Sequence, residues 1–310
     1  MPRRPADLRL FLLTAYGLAW LFALPIWLTG ASLASPLIMV SGVAMMFTPA
    51  LAVLAVLAVR LYGRRRAVPG TTWREWAGRT GLTLGERRGR TLALVAMAWF
   101  GTPLLAALAI ALSAALGLLS VDLDGLSLFR DGLAAASRGQ ASPVDPGTLA
   151  VVQIAAAFLI APLINSVAAF GEEWGWRGWL LPRLMPLGTW RALLVSGVIW
   201  GVWHAPLTLR GYNYPEIGAW AAPLFVVFCV VYGALLGWLR LRSGSIWPAV
   251  VGHGALNASA SLVLLVGDAA DPPDLVVAGI TGLVGSALLA VVSAVLFKRW
   301  PVERPAPVAV

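Results

Sequence analysis

Repeated apolar segments limit what this chain can fold into. A segment of about 20 mostly apolar residues is long enough to cross a bilayer as an α-helix. We place such segments at roughly 8–29, 37–59, 92–119, 149–171, 192–209, 219–239, 246–266 and 275–297. With only 12% charged residues, the sequence predicts an all-α polytopic protein of the cell membrane, with about eight transmembrane helices in contact with lipid.

The basic residues predict the orientation. If the N-terminus is cytoplasmic, all Lys and Arg except Arg130, Arg138 and Arg210 fall on cytoplasmic segments, whereas the outer loops are rich in acids. The positive-inside rule then predicts that both termini are cytoplasmic. The net charge of +9 therefore reflects topology, and we expect no nucleic-acid partner. The acids of the outer loops are Asp122, Asp124, Asp131, Asp145, Glu216, Asp268, Asp271 and Asp274.

Three connecting or terminal segments have distinctive compositions. The Arg-rich segment 60–90 contains Trp73 and Trp76, and we interpret it as a positive-inside loop with interfacial tryptophans. The alternative is a surface helix that binds anionic lipid or a substrate tail. We expect the Gly- and Pro-containing segment 120–147 to be irregular or partly interfacial, and the Pro-rich tail 298–310 to be disordered.

Ionisable groups inside apolar spans are costly and therefore indicate functional sites. They fall in three short stretches, EEWGWR, WGVWH and HGALN, and the last two contain both histidines of the chain. The polar and aromatic residues concerned are Glu172, Glu173 and Arg177, then Trp200 and His204, then His253 and Asn257.

Helical spacing indicates which of these groups lie together. Glu173 and Arg177 are four residues apart, with the acid first, which favours an ion pair. Glu172 points about 100° away from Glu173 around the helix. His253 and Asn257 are also four apart and share a face. One carboxylate is thus expected in an internal ion pair, while the other stays available.

Depth in the membrane is a second indication. Measured from the nearest cytoplasmic arginine of each segment, Glu172, His204 and His253 all lie about 16–20 Å above the basic side, if the helices are continuous. Pro182 interrupts this estimate for the first segment. Three helices would therefore bring polar groups to one level, which predicts a shared reactive or ion-binding cavity.

The three motifs resemble those of the CPBP (ABI) family of intramembrane proteases. That family includes the type II CAAX prenyl endopeptidases and bacterial relatives linked to bacteriocin self-immunity, and its pattern is EExxxR, FxxxH and HxxxN or HxxxD. This chain has Trp200 where the family usually has Phe. The resemblance covers about 149–266 and divides the chain into N-terminal helices with the basic loop (1–148), a catalytic core (149–266), and a last helix with its tail (267–310).

The resemblance implies hydrolysis of a peptide bond in a peptide or protein substrate in or near the membrane. The residue types suit that chemistry, because amide hydrolysis needs an activated water and donors to the developing oxyanion. Glu172 suits the general base, with His204 orienting the same water. His253 and Asn257 suit the oxyanion site. Glu173 with Arg177 is expected to fix Glu172, and Trp200 is a further supporting residue.

Two mechanisms stay open from the sequence. The residues favour a metal-free glutamate mechanism without a cofactor, because Asn is an uncommon zinc ligand and the histidines lie on different spans. The alternative is a metalloprotease that binds Zn²⁺, with Glu172, His204 and His253 as ligands.

Two other functions are compatible with buried polar groups. The first is an ion or proton transporter, although no inverted repeat is visible. The second is a non-catalytic immunity-type membrane protein that keeps the fold.

Overall fold

Regular structure in this computed structural model is helical throughout the described residues, which are 5–62, 73–137 and 143–302. The α-helices, numbered in chain order, are α1 Pro5–Thr29, α2 Pro36–Met46, α3 Thr48–Tyr62, α4 Trp73–Arg79, α5 Arg88–Ala115, α6 Ser127–Ala136, α7 Pro146–Leu159, α8 Ala161–Glu173, α9 Leu181–Leu184, α10 Thr189–Trp203, α11 Ala205–Thr208, α12 Ala221–Ser243, α13 Trp247–Ser259, α14 Leu262–Val266 and α15 Leu283–Arg299. The predicted all-α fold is confirmed.

Five helical segments are long and apolar enough to cross a membrane: Pro5–Thr29, Pro36–Arg60, Arg88–Ala115, Pro215–Ser243 and Trp247–Val266. The bent pair α7 and α8 makes a sixth if it is one span. The chain is therefore a polytopic membrane protein. Helices α10 and α15 occupy the two other predicted spans with 15 and 17 residues, so the number eight and the cytoplasmic termini stay predictions.

The last predicted span begins later than expected. Residues 275–282 form turns and bends, and α15 starts only at Leu283. The backbone N–H of Leu283 donates to Val276 O, and that of Val284 donates to Val277 O. These bonds fold the segment back on itself, so eight residues predicted as helix belong to the loop before it.

The two long connecting segments contain more helix than their composition predicts. The ten-residue helix α6 lies within 120–147. In the basic segment, α4 places Trp76 in the interior, 7% exposed, with its ring edge-on to Trp174 at 5.6 Å. Our interfacial interpretation of Trp76 is therefore wrong, because a better apolar contact is available inside the protein. The side chain of Trp73, and most of the Pro-rich tail, lie outside the described residues.

The helices that carry the polar motifs are interrupted near those motifs. Helices α7 and α8 meet at an angle of 50°. Helices α2 and α3 are separated by a single residue, Phe47. After α8 the chain continues as a π-helix, Trp174–Leu180, and then as α9, which contains Pro182. Pro182 thus does not break the helix, but the π-turns change its rise. Such turns are frequent at functional sites.

Two glycines allow the EEWGWR segment to lie directly against the α2–α3 junction. A Cβ on Gly171 would lie 2.5 Å from Met46 O, and one on Gly175 would lie 2.3 Å from Pro49 Cβ. Neither contact could be relieved by a flexible side chain alone. The close approach of two backbones therefore fixes the height of Glu172 and Glu173 relative to α2.

We expect Gly175→Ala to destabilise the protein by about 1–3 kcal/mol, because the added methyl must push α3 away from the π-helix. The measurement is thermal unfolding in detergent. Gly101→Ala is the matched control, since Gly101 is also helical but has open space around its Cβ position. It should leave stability unchanged or raise it by up to about 1 kcal/mol. Equal destabilisation by both changes would contradict the close packing described here.

Candidate active site

A single cavity brings together the polar groups of all three motifs. Its volume is about 780 Å³, and Glu172, His204, His253 and Asn257 all line it. They are delivered by α8, by the C-terminal end of α10 and by α13. Glu173 and Arg177 do not line this cavity. The helical spacing thus divides the two carboxylates between two different environments.

Glu172 is held from the side by an indole. The side chain is 1% exposed, and its Oε2 accepts a hydrogen bond of 2.6 Å from Trp200 Nε1 on α10. Trp200 is itself buried. This bond ties the carboxylate to the helix that also carries His204, and therefore sets its position within the cavity.

Glu173 joins two other helical segments behind the cavity wall. Its Oε1 accepts hydrogen bonds from Arg177 Nη1 and from His253 Nδ1, each at 2.8 Å. The predicted ion pair with Arg177 is present, with both side chains almost fully buried. The bond to His253 was not predicted. Glu173 Oε2 is buried and has no hydrogen-bond partner among the described residues. Both hydrogen bonds of the carboxylate are therefore made by Oε1.

The hydrogen bonds of the histidines determine what each ring can offer the cavity. His204 Nδ1 lies 2.9 Å from Trp200 O, and because a carbonyl only accepts, Nδ1 carries the hydrogen and Nε2 is an acceptor. His253 Nδ1 likewise donates to the Glu173 carboxylate. His253 Nε2 can therefore donate only when the ring is protonated.

Trp200 contacts most of the site. Arg177 stacks on its ring at 4.2 Å from the centroid. The rings of His204 and His253 meet it edge-on, at 5.7 and 5.4 Å between centroids. The sequence suggested only that Trp200 replaces an aromatic residue. The indole N–H, which phenylalanine lacks, was the signal that could have revealed a donor to a carboxylate.

Sequence reasoning did not anticipate the wall opposite the motifs. Helix α2, which contains no charged residue, lines the cavity with Met39, Gly42, Val43 and Met46. The free, buried Cys229 on α12 was also not linked to the site, yet its Sγ lies 3.9 Å from His204 Nδ1. Apolar residues carry no motif, so only packing reveals them.

The arrangement does not fit the zinc ligand set that the sequence left as an alternative. Within the described ranges, no three His, Cys, Asp or Glu side chains are placed to hold one metal ion. Glu172 Oε2 already accepts a hydrogen bond from Trp200, and Glu173 Oε1 accepts hydrogen bonds from Arg177 and His253. We derive no catalytic step through a metal.

The fold and the site define a helical membrane protein with a cavity lined by polar groups from three helices. Residues 149–259, just over a third of the chain, match the family described as type II CAAX prenyl endopeptidase Rce1-like. This match supports the assignment to the CPBP/CAAX protease family that the three motifs indicated. No curated protein matches the chain.

The buried ion pair leads to a stability prediction. We expect Glu173→Gln to destabilise the protein by about 3–5 kcal/mol, because Arg177 keeps its charge in the interior without a counter-charge. Adding Arg177→Met should restore part of this loss, since the unpaired charge is then removed. Thermal unfolding in detergent measures both.

Glu216→Gln is the matched control for the loss of a carboxylate, because Glu216 is exposed; it should leave the unfolding temperature unchanged. If the double variant were less stable than Glu173→Gln alone, the unpaired charge would not be the cause of the loss.

Proposed function

We propose that the protein is an intramembrane endopeptidase that uses a glutamate-activated water. The observation that carries this proposal is the convergence of Glu172, His204, His253 and Asn257 on one cavity. A base, a second acceptor and two oxyanion donors are the groups that hydrolysis of an amide requires. The family match to residues 149–259 supports a protease in general.

In the proposed reaction, Glu172 removes a proton from a water molecule. His204 Nε2 accepts a hydrogen bond from the other O–H of this water and thereby orients the water. The water oxygen attacks the carbonyl carbon of the scissile peptide bond. The resulting oxyanion accepts hydrogen bonds from the Asn257 amide and from protonated His253 Nε2. When the C–N bond breaks, Glu172 returns the proton to the leaving amine, and a carboxylic acid and an amine are the products.

The supporting residues have different tasks in this scheme. Trp200 holds Glu172 through its indole N–H. Glu173 holds His253 through Nδ1, so that Nε2 is the nitrogen proposed to donate to the oxyanion. This revises the role expected from the sequence, in which Glu173 and Arg177 supported Glu172. Arg177 in turn fixes Glu173 by sharing the same oxygen.

The proposal needs no cofactor, because the base, the water-orienting group and the oxyanion donors all come from the chain itself. The substrate is a peptide or protein segment at the membrane. Nothing in the cavity identifies a prenyl group, so prenylation is not part of the proposal.

Glu172→Gln should abolish peptide cleavage, lowering its rate by at least about 10²-fold, because the amide cannot take a proton. The protein should stay folded, since the Gln carbonyl can still accept the bond from Trp200. Cleavage of a peptide library by purified protein in detergent, followed by mass spectrometry, measures the effect.

The control for that experiment is wild-type protein treated with a chelator, which should keep its activity. Loss of activity that zinc restores would overturn the metal-free mechanism. An active, folded Glu172→Gln variant would overturn the assignment of the base. A transport assay on that variant would then test the ion-relay alternative.

We expect Trp200→Phe to reduce the cleavage rate while leaving substrate binding nearly unchanged, because the ring is kept but the donor to Glu172 is lost. Removing one hydrogen bond to a charged group corresponds to about 1.5–3 kcal/mol. Trp203→Phe is the matched control: Trp203 is equally buried, and its Nε1 donates to Thr48 Oγ1 instead.

The steady-state constants separate the two variants. Trp200→Phe should lower kcat and shift the acidic limb of its pH profile, which reports the base, whereas Trp203→Phe should lower stability without moving that limb. An unchanged kcat and pH profile for Trp200→Phe would show that the indole only fills space.

A further inference from the structure

The residues that line the cavity show from which end of the molecule it is reached. The outermost lining residues come from the α1–α2 connection, the segment after α11 and the segment before α15. They include Ala34, Tyr212, Asn213, Leu275 and Thr281. All three segments lie at the end of the helices opposite the N-terminus of α1 and the C-terminus of α15.

Helix α2 gives the depth of the cavity. It lines the cavity along its length, from Pro36 to Met46. Its last residue lies beside Gly171, immediately before Glu172. Ten residues of helix correspond to about 15 Å. Glu172 therefore lies about that far below the mouth, at the inner end of the cavity.

The opposite end is filled. Below Glu172, the π-helical segment buries Trp176, Arg177, Trp179 and Leu180, each no more than 2% exposed. Beneath this layer, α4 packs Trp76 against Trp174. No residue of α4, α9 or the π-helical segment lines the cavity. In this structure, substrate cannot reach Glu172 from that end without unpacking the tryptophans.

The two ends carry different charges. The filled end is rich in basic residues, which are Arg60, Arg79, Arg87, Arg88, Arg90, Arg183, Arg191, Arg242, Lys298 and Arg299. Among the described residues, the open end bears eight acids and two arginines: Asp122, Asp124, Asp131, Asp145, Glu216, Asp268, Asp271 and Asp274, with Arg130 and Arg210. By the positive-inside rule, the filled end faces the cytoplasm.

We propose that the active-site cavity opens on the non-cytoplasmic side of the membrane, and that its substrates are apolar peptide segments exposed on that side. The chemistry rests on the proposed endopeptidase function, whereas the side of access does not. Apolar side chains are favoured because α2 and α12 line the cavity with Ile38, Met39, Val43, Phe225 and Phe228.

Cysteine labelling tests the side of access without requiring activity. The only native cysteine, Cys229, is buried, so the wild-type protein is the unlabelled reference. Ala34→Cys lies at the mouth, and Ser261→Cys lines the cavity four residues after Asn257. Glu86→Cys, exposed at the basic end, is the control. Each full-length variant is treated with a membrane-impermeant maleimide in right-side-out and in inverted membrane vesicles.

We expect Ala34→Cys and Ser261→Cys to be labelled in right-side-out vesicles only, and Glu86→Cys in inverted vesicles only. The opposite pattern would place the mouth in the cytoplasm and overturn the proposal. Labelling of Ala34→Cys without Ser261→Cys would show that water does not enter the cavity, which would also overturn it.

A cleavage assay on the same vesicles separates this proposal from the proposed function. Apolar peptides added outside should be cut by right-side-out vesicles and not by inverted ones. If labelling follows the expected pattern but no peptide is cut from either side, access is upheld and the endopeptidase function fails. Cleavage by inverted vesicles alone would contradict the side of access while supporting the endopeptidase.

Discussion

The hydrogen-bonded unit of Glu173, Arg177 and His253 is the interaction on which the site depends. One carboxylate oxygen accepts from both partners at 2.8 Å, in an interior where an unpaired charge would cost several kcal/mol. The unit joins the π-helical segment to α13, two parts of the chain that are far apart in sequence. It also determines which nitrogen of His253 faces the cavity. The same contacts therefore set both the position of the ring and the nitrogen that it presents to the cavity.

Trp200 links this unit to Glu172 and His204, on the other side of the site. Its indole donates to Glu172, its ring stacks against Arg177, and its carbonyl accepts from His204 Nδ1. One residue thus contacts both Glu172 and the Glu173–Arg177 ion pair. A phenylalanine at this position could supply the stacking but not the hydrogen bond. The Glu172 carboxylate is consequently held by a donor that the usual family motif does not provide.

The packing that holds the site also gives the cavity its direction. Gly171 and Gly175 let the backbone of the EEWGWR segment approach the α2–α3 junction closely, and the bulky residues between and after them fill the basic end of the molecule. The same segment therefore supplies Glu172, the proposed base, and closes the path behind it. A membrane protein with a polar cavity needs such a closed end, because a continuous polar path would let ions cross.

Much of the site follows from local sequence. The i, i+4 spacing predicted the Glu173–Arg177 pair and the common face of His253 and Asn257, because a helix places such residues one above the other. The apolar segments predicted an all-helical membrane protein, because a bilayer leaves backbone groups no other partners. Boundaries were less certain: α15 begins at Leu283, since residues before it are held by turn hydrogen bonds that no periodicity reveals.

The sequence by itself determined the residues that can do chemistry, their helical faces and, through its arginines, the expected orientation. Only the tertiary structure decided that Glu173 supports His253 and that Trp200 holds Glu172. It also decided that uncharged α2 forms the facing wall and that Trp76 is buried. The physical reason is that spacing along one helix determines side-chain directions within that helix alone. A hydrogen bond between two helices depends on how the helices are packed. That packing is set by glycines and apolar side chains, which form no motif of their own.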